Sequence, residues 1–286
     1  MDVPLGGEFI ARDGLLYPPE LWGAEQASID QSSRSGESSD LDPLFNGSVG
    51  STYRMVKYLS VASLLDEALP DEYKERVQAA VMSQLSTDAM HRLAGEATLS
   101  LLDPAGRRQL QIESALDEFE QWIGEEPMDE SRAFLWTYGA EYSGTLEVPL
   151  DYPGLTDGAV DTWLDNLLLG AAWPAAQFLI GLYHNGVTEL GTVESRLMAG
   201  LRDHLLSLDI STSASTELFT AELAVFLWSG TWTHPVADLL KESEQRWGDC
   251  LGGYSVFIRE NRDVNQWCNV DASLEVIVSR EYWESV

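Results

Sequence analysis

Lysine is nearly missing from this chain. Lys57, Lys74 and Lys241 are the only three in 286 residues, against fourteen arginines and 47 acidic side chains. The formal net charge is −30, and every fifty-residue window is net acidic. The surplus therefore belongs to the whole surface and not to a tail. So thin a supply of cations argues against direct nucleic-acid binding, which relies on clustered Lys and Arg at the phosphates. The tightest basic pair, Arg107-Arg108, has acids close downstream.

Other absences narrow the possibilities further. Two cysteines, Cys250 and Cys268, are too few for a disulfide scaffold or a Cys₄ zinc site. The first residues, MDVPLGGEFIARDG, lack the basic and apolar regions of a secretory signal. There is no P-loop, no zinc knuckle, no Gly-x-Ser-x-Gly elbow and no Gly-x-Gly-x-x-Gly turn after a strand. No cofactor signature is therefore found. The one long uncharged run, LLLGAAWPAAQFLIGLY over 167–183, has Gln177 and Pro174 inside it and an acidic upstream flank. Proline removes a helix donor and clashes with the preceding turn. The run is expected to form two helices, 160–173 and 175–183, divided at Trp173-Pro174, as the buried centre of a soluble domain and not a membrane span.

What is present is a mainly α (α+β) pattern: an irregular multi-helix domain with an extended N-terminal arm and a small C-terminal antiparallel β-meander. Residues 1–50 are rich in Ser, Gly and Pro, yet they carry Phe9, Leu16, Tyr17, Leu21 and Trp22, anchors that a purely disordered tail would not need. Over 51–250 the apolar positions recur at helical spacing and suggest about eight helices. The stripes are Tyr73, Val77, Val81, Leu85; Leu93, Ala97, Leu101; Ile112, Leu116, Phe119, Ile123; and Val193, Leu197, Leu201, Leu205, Leu208, the last capped by Thr192. Asp103-Pro104 reads as a helix cap followed by an N1 proline. Residues 144–153 read as a loop or short strand between two groups of helices. Residues 251–286 read as three short strands packed on the helical domain, with a turn at Asn261-Arg262 that keeps Cys268 away from Cys250.

Candidate chemistry is sparse. Asp161 and Asp165 stand four apart on one helical face and could hold Mg²⁺ with bound phosphates, but no second aspartate motif accompanies them; the favoured reading is first-turn acids that complement the helix dipole for at most about 1 kcal/mol each. His234 and Asp238 repeat that spacing at a helix start. His204 borders the apolar stripe of its helix and could serve as a base or as a satisfied boundary residue. Trp173, Pro174, His184 and His204 are the candidate pocket residues, with the break at Pro174 the expected place for a pocket. Ten tryptophans suit interface cores or a large domestic core.

A lysine-poor, Asp- and Glu-rich surface looks like that of proteins from salt-loving organisms. Its self-repulsion destabilises the compact state in dilute buffer, whereas molar salt shortens the Debye length to about 3 Å. The expected function is a non-enzymatic structural or interaction subunit of a multi-subunit assembly, such as a virion, in a halophile. Its expected partners are proteins, in a homo- or hetero-oligomer, and its expected location is a high-salt cytoplasm or a virion. The alternatives are an acidic decoy for a basic partner, and a metal-assisted enzyme with its pocket in the helical domain.

Overall fold

The computed structural model describes residues 49–61, 65–85, 88–210 and 215–239. The expected C-terminal meander and nearly all of the arm, with its five anchors, lie outside these residues. Val49 and Gly50, placed in the arm by sequence, open the first described helix.

Ten α-helices are described: α1 Val49–Val61, α2 Leu65–Ala68, α3 Asp71–Gln84, α4 Ala89–Leu102, α5 Gln109–Gly124, α6 Glu130–Leu146, α7 Asp157–Leu168, α8 Trp173–His184, α9 Thr192–Ser207 and α10 Ser215–Ser229. A further helical turn at 236–239 runs to the edge of the described residues. Among them there is no strand, only an isolated bridge between Met128 and Leu155. No described helix is long and apolar enough to cross a membrane.

The helix starts depend on side chains that take up the unpaired N–H groups of the first turn. Asp88 accepts from His91 N at 2.8 Å, Asp129 from Arg132 N at 2.9 Å and Thr156 from Ala159 N at 3.3 Å. Asp103 caps as expected, but the unit it opens is the 3₁₀ turn Pro104–Gly106, and α5 begins separately after it. Thr192 is the first residue of α9 and not its cap; Gly191 takes that position with no side-chain bond. Residues 144–146 continue α6, which ends at Glu147 in the left-handed region (φ 56°). The irregular stretch expected over 144–153 therefore starts only at residue 147.

Three helices are buried on all sides over part of their length: residues 93–99 of α4, 175–182 of α8 and 218–225 of α10. Two groups form around them. Helix α4 packs on α1, α3 and α5, while α8 packs on α10 and α9; α6 touches both α4 and α8 and joins the groups. Trp136 of α6, fully buried, is its central anchor. Its indole N–H donates to the Asp151 carbonyl at 2.9 Å and its ring meets Phe178 of α8 edge-on at 5.5 Å.

Helix α6 approaches its neighbours closely because small residues face them. A Cβ on Gly139 would stand 2.3 Å from the Phe119 ring of α5, and one on Gly181 of α8 would stand 3.1 Å from Ala140 of α6. Neither glycine has positive φ, so space and not backbone conformation is what these positions require. Gly139→Ala therefore forces the buried Phe119 ring to move and is expected to cost about 1–3 kcal/mol. Gly144→Ala, on an open face of the same helix, is expected to stabilise by about 0.5–1 kcal/mol. Denaturant unfolding in molar KCl checks both; equal effects would contradict the close approach.

Candidate interaction site

The break between α7 and α8 falls slightly earlier than expected. Helix α7 stops at Leu168, and Gly170, with φ +89°, reverses the chain while its N–H donates to the Leu167 carbonyl at 3.1 Å. Positive φ is where glycine has no steric penalty. Pro174 then sits in the first turn of α8, where its missing N–H leaves no bond unmade. The orphan donors just before it are met from another helix: Glu217 of α10 accepts from Ala172 N at 2.5 Å and from Trp173 N at 2.6 Å. Desolvation raises the Glu217 carboxyl above its ordinary value, and the two N–H groups oppose that rise.

This break splits the uncharged run into two environments. Its second half is the buried α8. Its first half leaves Leu168 and Leu169 85% exposed, the most exposed large apolar side chains among the described residues. Leu206 of α9 is 67% exposed. Between the C-terminal ends of α7 and α9 lies an open cleft of about 570 Å³. Leu164, Leu167, Leu168 and Leu208 supply its apolar walls, and Gly200, whose Cβ would stand 2.2 Å from Leu164, lets the two helices meet at its base. Asp165, Asp203 and Asp209 supply carboxylates to its lining. His204 and Ser207 complete the polar positions. Burial lowers the His204 pKa, while a hydrogen bond with the Leu167 backbone opposes the shift.

Of the expected pocket residues, only His204 lines this cleft. Trp173 packs elsewhere, against Phe134 at 5.8 Å and Tyr138 at 6.2 Å, beneath the Arg54 guanidinium at 6.0 Å. Pro174 lies beside it in the first turn of α8. His184 ends α8 edge-on to Tyr183 at 5.9 Å, its pKa lowered first by desolvation and then by the Lys57 charge.

Two of the four candidate metal ligands are held by other side chains. Asp161 pairs with Arg196 Nη2 at 2.6 Å, and Asp157 takes Nη1 of the same guanidinium at 2.9 Å. Helix α7 starts at Asp157, so Asp161 and Asp165 fall in its later turns and Asp157 alone meets the first-turn dipole. Asp165 lines the cleft. His234 Nδ1 is 2.5 Å from Glu222 of α10, which also accepts from the backbone N–H groups of Thr233 and His234. Asp238 is exposed. Among the described residues no three His, Cys, Asp or Glu side chains are grouped to hold a metal ion.

Sequence reasoning missed two features. One is the pair of glutamates on α10, Glu217 and Glu222, which close the starts of other segments; they read as ordinary surface acids until α10 proves buried. The other is a mostly buried charge cluster between α1 and α6. Glu141 takes Arg54 Nη2 and Lys57 Nζ, each at 3.2 Å, beside Tyr53, whose hydroxyl is 2.6 Å from Thr145 Oγ1. Burial pushes Tyr53 up to about 12, with Lys57 opposing and Glu141 adding to the rise. Burial alone would raise Glu141, but Arg54 and Lys57 outweigh it and hold the carboxyl below its ordinary value. The signal in the sequence is Lys57 itself, one of three lysines, set within the apolar stripe Tyr53, Val56 and Leu59.

No protein-family model, curated protein or solved structure matches the chain. The site is therefore read from its own chemistry.

Glu217 gives a test with a defined sign. Its native carboxyl binds a proton more readily than the unfolded chain's, whose pKa is near 4.5, so folding is penalised fully above the raised native pKa and relieved as pH falls toward 4.5. Relative to Glu217→Gln, the parent should gain stability as pH falls from neutral toward 4.5. A difference between the two that does not vary with pH would contradict this account.

Proposed function

We propose that this protein is a non-enzymatic interaction subunit of a multi-subunit assembly working in high salt, such as a virion or another particle of a salt-loving organism. The observation that supports it best is the cleft at the ends of α7 and α9, apolar-walled and flanked by leucines left largely in water. Exposed apolar surface gathered around a concavity, with polar groups at the rim, is the pattern of a protein contact. Isolated leucines scattered over a surface would carry no such meaning.

The arm at 1–50 supplies the second contact in this reading. Phe9, Leu16, Tyr17, Leu21 and Trp22 seat on a neighbouring subunit, and the helical domain folds without them. Light scattering in molar KCl tests this directly. The full chain is expected to be oligomeric, and a variant lacking 1–45 monomeric with its helical circular dichroism intact. Monomers in both cases would overturn the assembly role of the arm.

A further inference from the structure

We infer that Asn185-Gly186, at the C-terminal end of α8, is a site of spontaneous covalent modification that the native fold keeps unreacted and that unfolding opens to reaction. The reaction is a cyclisation. The Gly186 nitrogen gives its proton to solvent, attacks Cγ of Asn185 and displaces the amide nitrogen, which takes up a proton and leaves as ammonia. Water then opens the cyclic imide at either carbonyl and leaves aspartate or isoaspartate at position 185. Glycine favours the attack because it has no Cβ to crowd the nitrogen.

In the fold both reacting groups are already engaged. Asn185 Oδ1 accepts from Leu150 N at 2.8 Å and from Ser143 Oγ at 3.2 Å, and Nδ2 donates to the Gly181 carbonyl at 2.9 Å. Gly186, with φ +78°, donates its N–H to the Tyr183 carbonyl at 3.1 Å, and the Val187 N–H reaches the Leu182 carbonyl at 3.1 Å. Those two bonds form a Schellman end to α8, with glycine at its left-handed position. The two donors on Oδ1 polarise the amide carbonyl, but attack also requires the nitrogen to approach Cγ in a reactive orientation. A nitrogen committed to Tyr183, facing a side chain held at both its oxygen and its nitrogen, does not meet that requirement.

The products do not fit the same place. Aspartate loses the donor to Gly181 and sets a carboxylate at a helix C-terminus, where negative charge is unfavourable. Isoaspartate adds a carbon to the main chain inside the turn that closes α8. Asn185 also ties Ser143 of α6 and the backbone at Leu150 to the end of α8, and α6 is the helix that joins the two groups. Self-repulsion in dilute buffer favours loss of the fold. Chemical change in the unfolded chain then makes that loss irreversible, and this amide is where the change falls.

The test incubates the full chain in molar KCl at mildly alkaline pH, with and without enough urea to unfold it. A synthetic peptide of residues 182–190 is kept beside it in both solvents. Mass spectrometry of proteolytic fragments gives the rate of amide loss at Asn185. The unfolded chain and the peptide should react at similar rates, and the folded chain at least about tenfold more slowly. Asn46-Gly47, the chain's other Asn-Gly pair, lies outside the described residues and reports that the chemistry proceeds in urea. Asn185→Asp stands in for one product, and its circular dichroism in molar KCl should be lost at a lower urea concentration than the parent's. Equal rates in the folded chain and the peptide would overturn the protection. An unfolded chain that keeps the Asn185 amide while Asn46 loses its own would overturn the site. An Asn185→Asp variant as stable as the parent would overturn the irreversibility.

Discussion

Scarcity of positive charge governs how this protein is put together. Among the described residues, every lysine and arginine except Arg76 and Arg202 reaches a carboxylate within 4.0 Å. Most of these pairs join different elements. Arg54 and Lys57 tie α1 to Glu141 of α6, Arg92 ties α4 to Glu118 of α5, and Arg196 ties α9 to Asp157 and Asp161 of α7. An exposed pair contributes at most about 1 kcal/mol. Removing one partner of a mostly buried pair such as Glu141–Lys57 costs about 3–5 kcal/mol, because a charge is left without compensation. Among the described residues most of the few cations thus act where elements meet.

The same constraint explains the buried acids. Glu96 and Glu141 keep cations, and other enclosed carboxylates are met instead by backbone N–H groups or a hydroxyl. Glu217 closes the start of α8, and Glu222 takes two N–H groups and a histidine beyond α10. Glu194 accepts from the Tyr152 hydroxyl, which itself accepts from Leu155 N at 2.5 Å. Hydrogen bonds to ionised groups are worth more than neutral ones, about 1.5–3 kcal/mol each, and desolvation offsets much of that gain. Helix α10 in this way becomes a fastener for segments on either side of it.

Much of the helical architecture was legible from spacing. The stripes through Val77 and Val81, through Leu93 and Ala97, and through Leu197, Leu201 and Leu205 are all buried, because side chains 3.6 residues apart share a face whatever that face meets. Pro174 marked the division of the uncharged run because a proline cannot sit deep in a helix. The position of the break was not legible: it depends on Gly170 turning with positive φ and on a glutamate from α10, 45 residues beyond Ala172. The cleft was half visible, through His204. Its other wall comes from leucines that looked like core in a run without charge, and only packing separates the buried Phe178 and Leu179 from the exposed Leu168 and Leu169. Asp161 and Asp165 share a helix side by periodicity, but Arg196 decides what Asp161 does.

If thirty surplus negative charges are the constraint around which the joints are built, stability must depend on screening. Thermal unfolding monitored by circular dichroism over a KCl series is the direct measurement. The Debye length contracts from about 10 Å at 0.1 M to about 3 Å at 1 M, so the midpoint is predicted to rise continuously from dilute buffer into molar KCl. A midpoint indifferent to salt across that range would contradict the account.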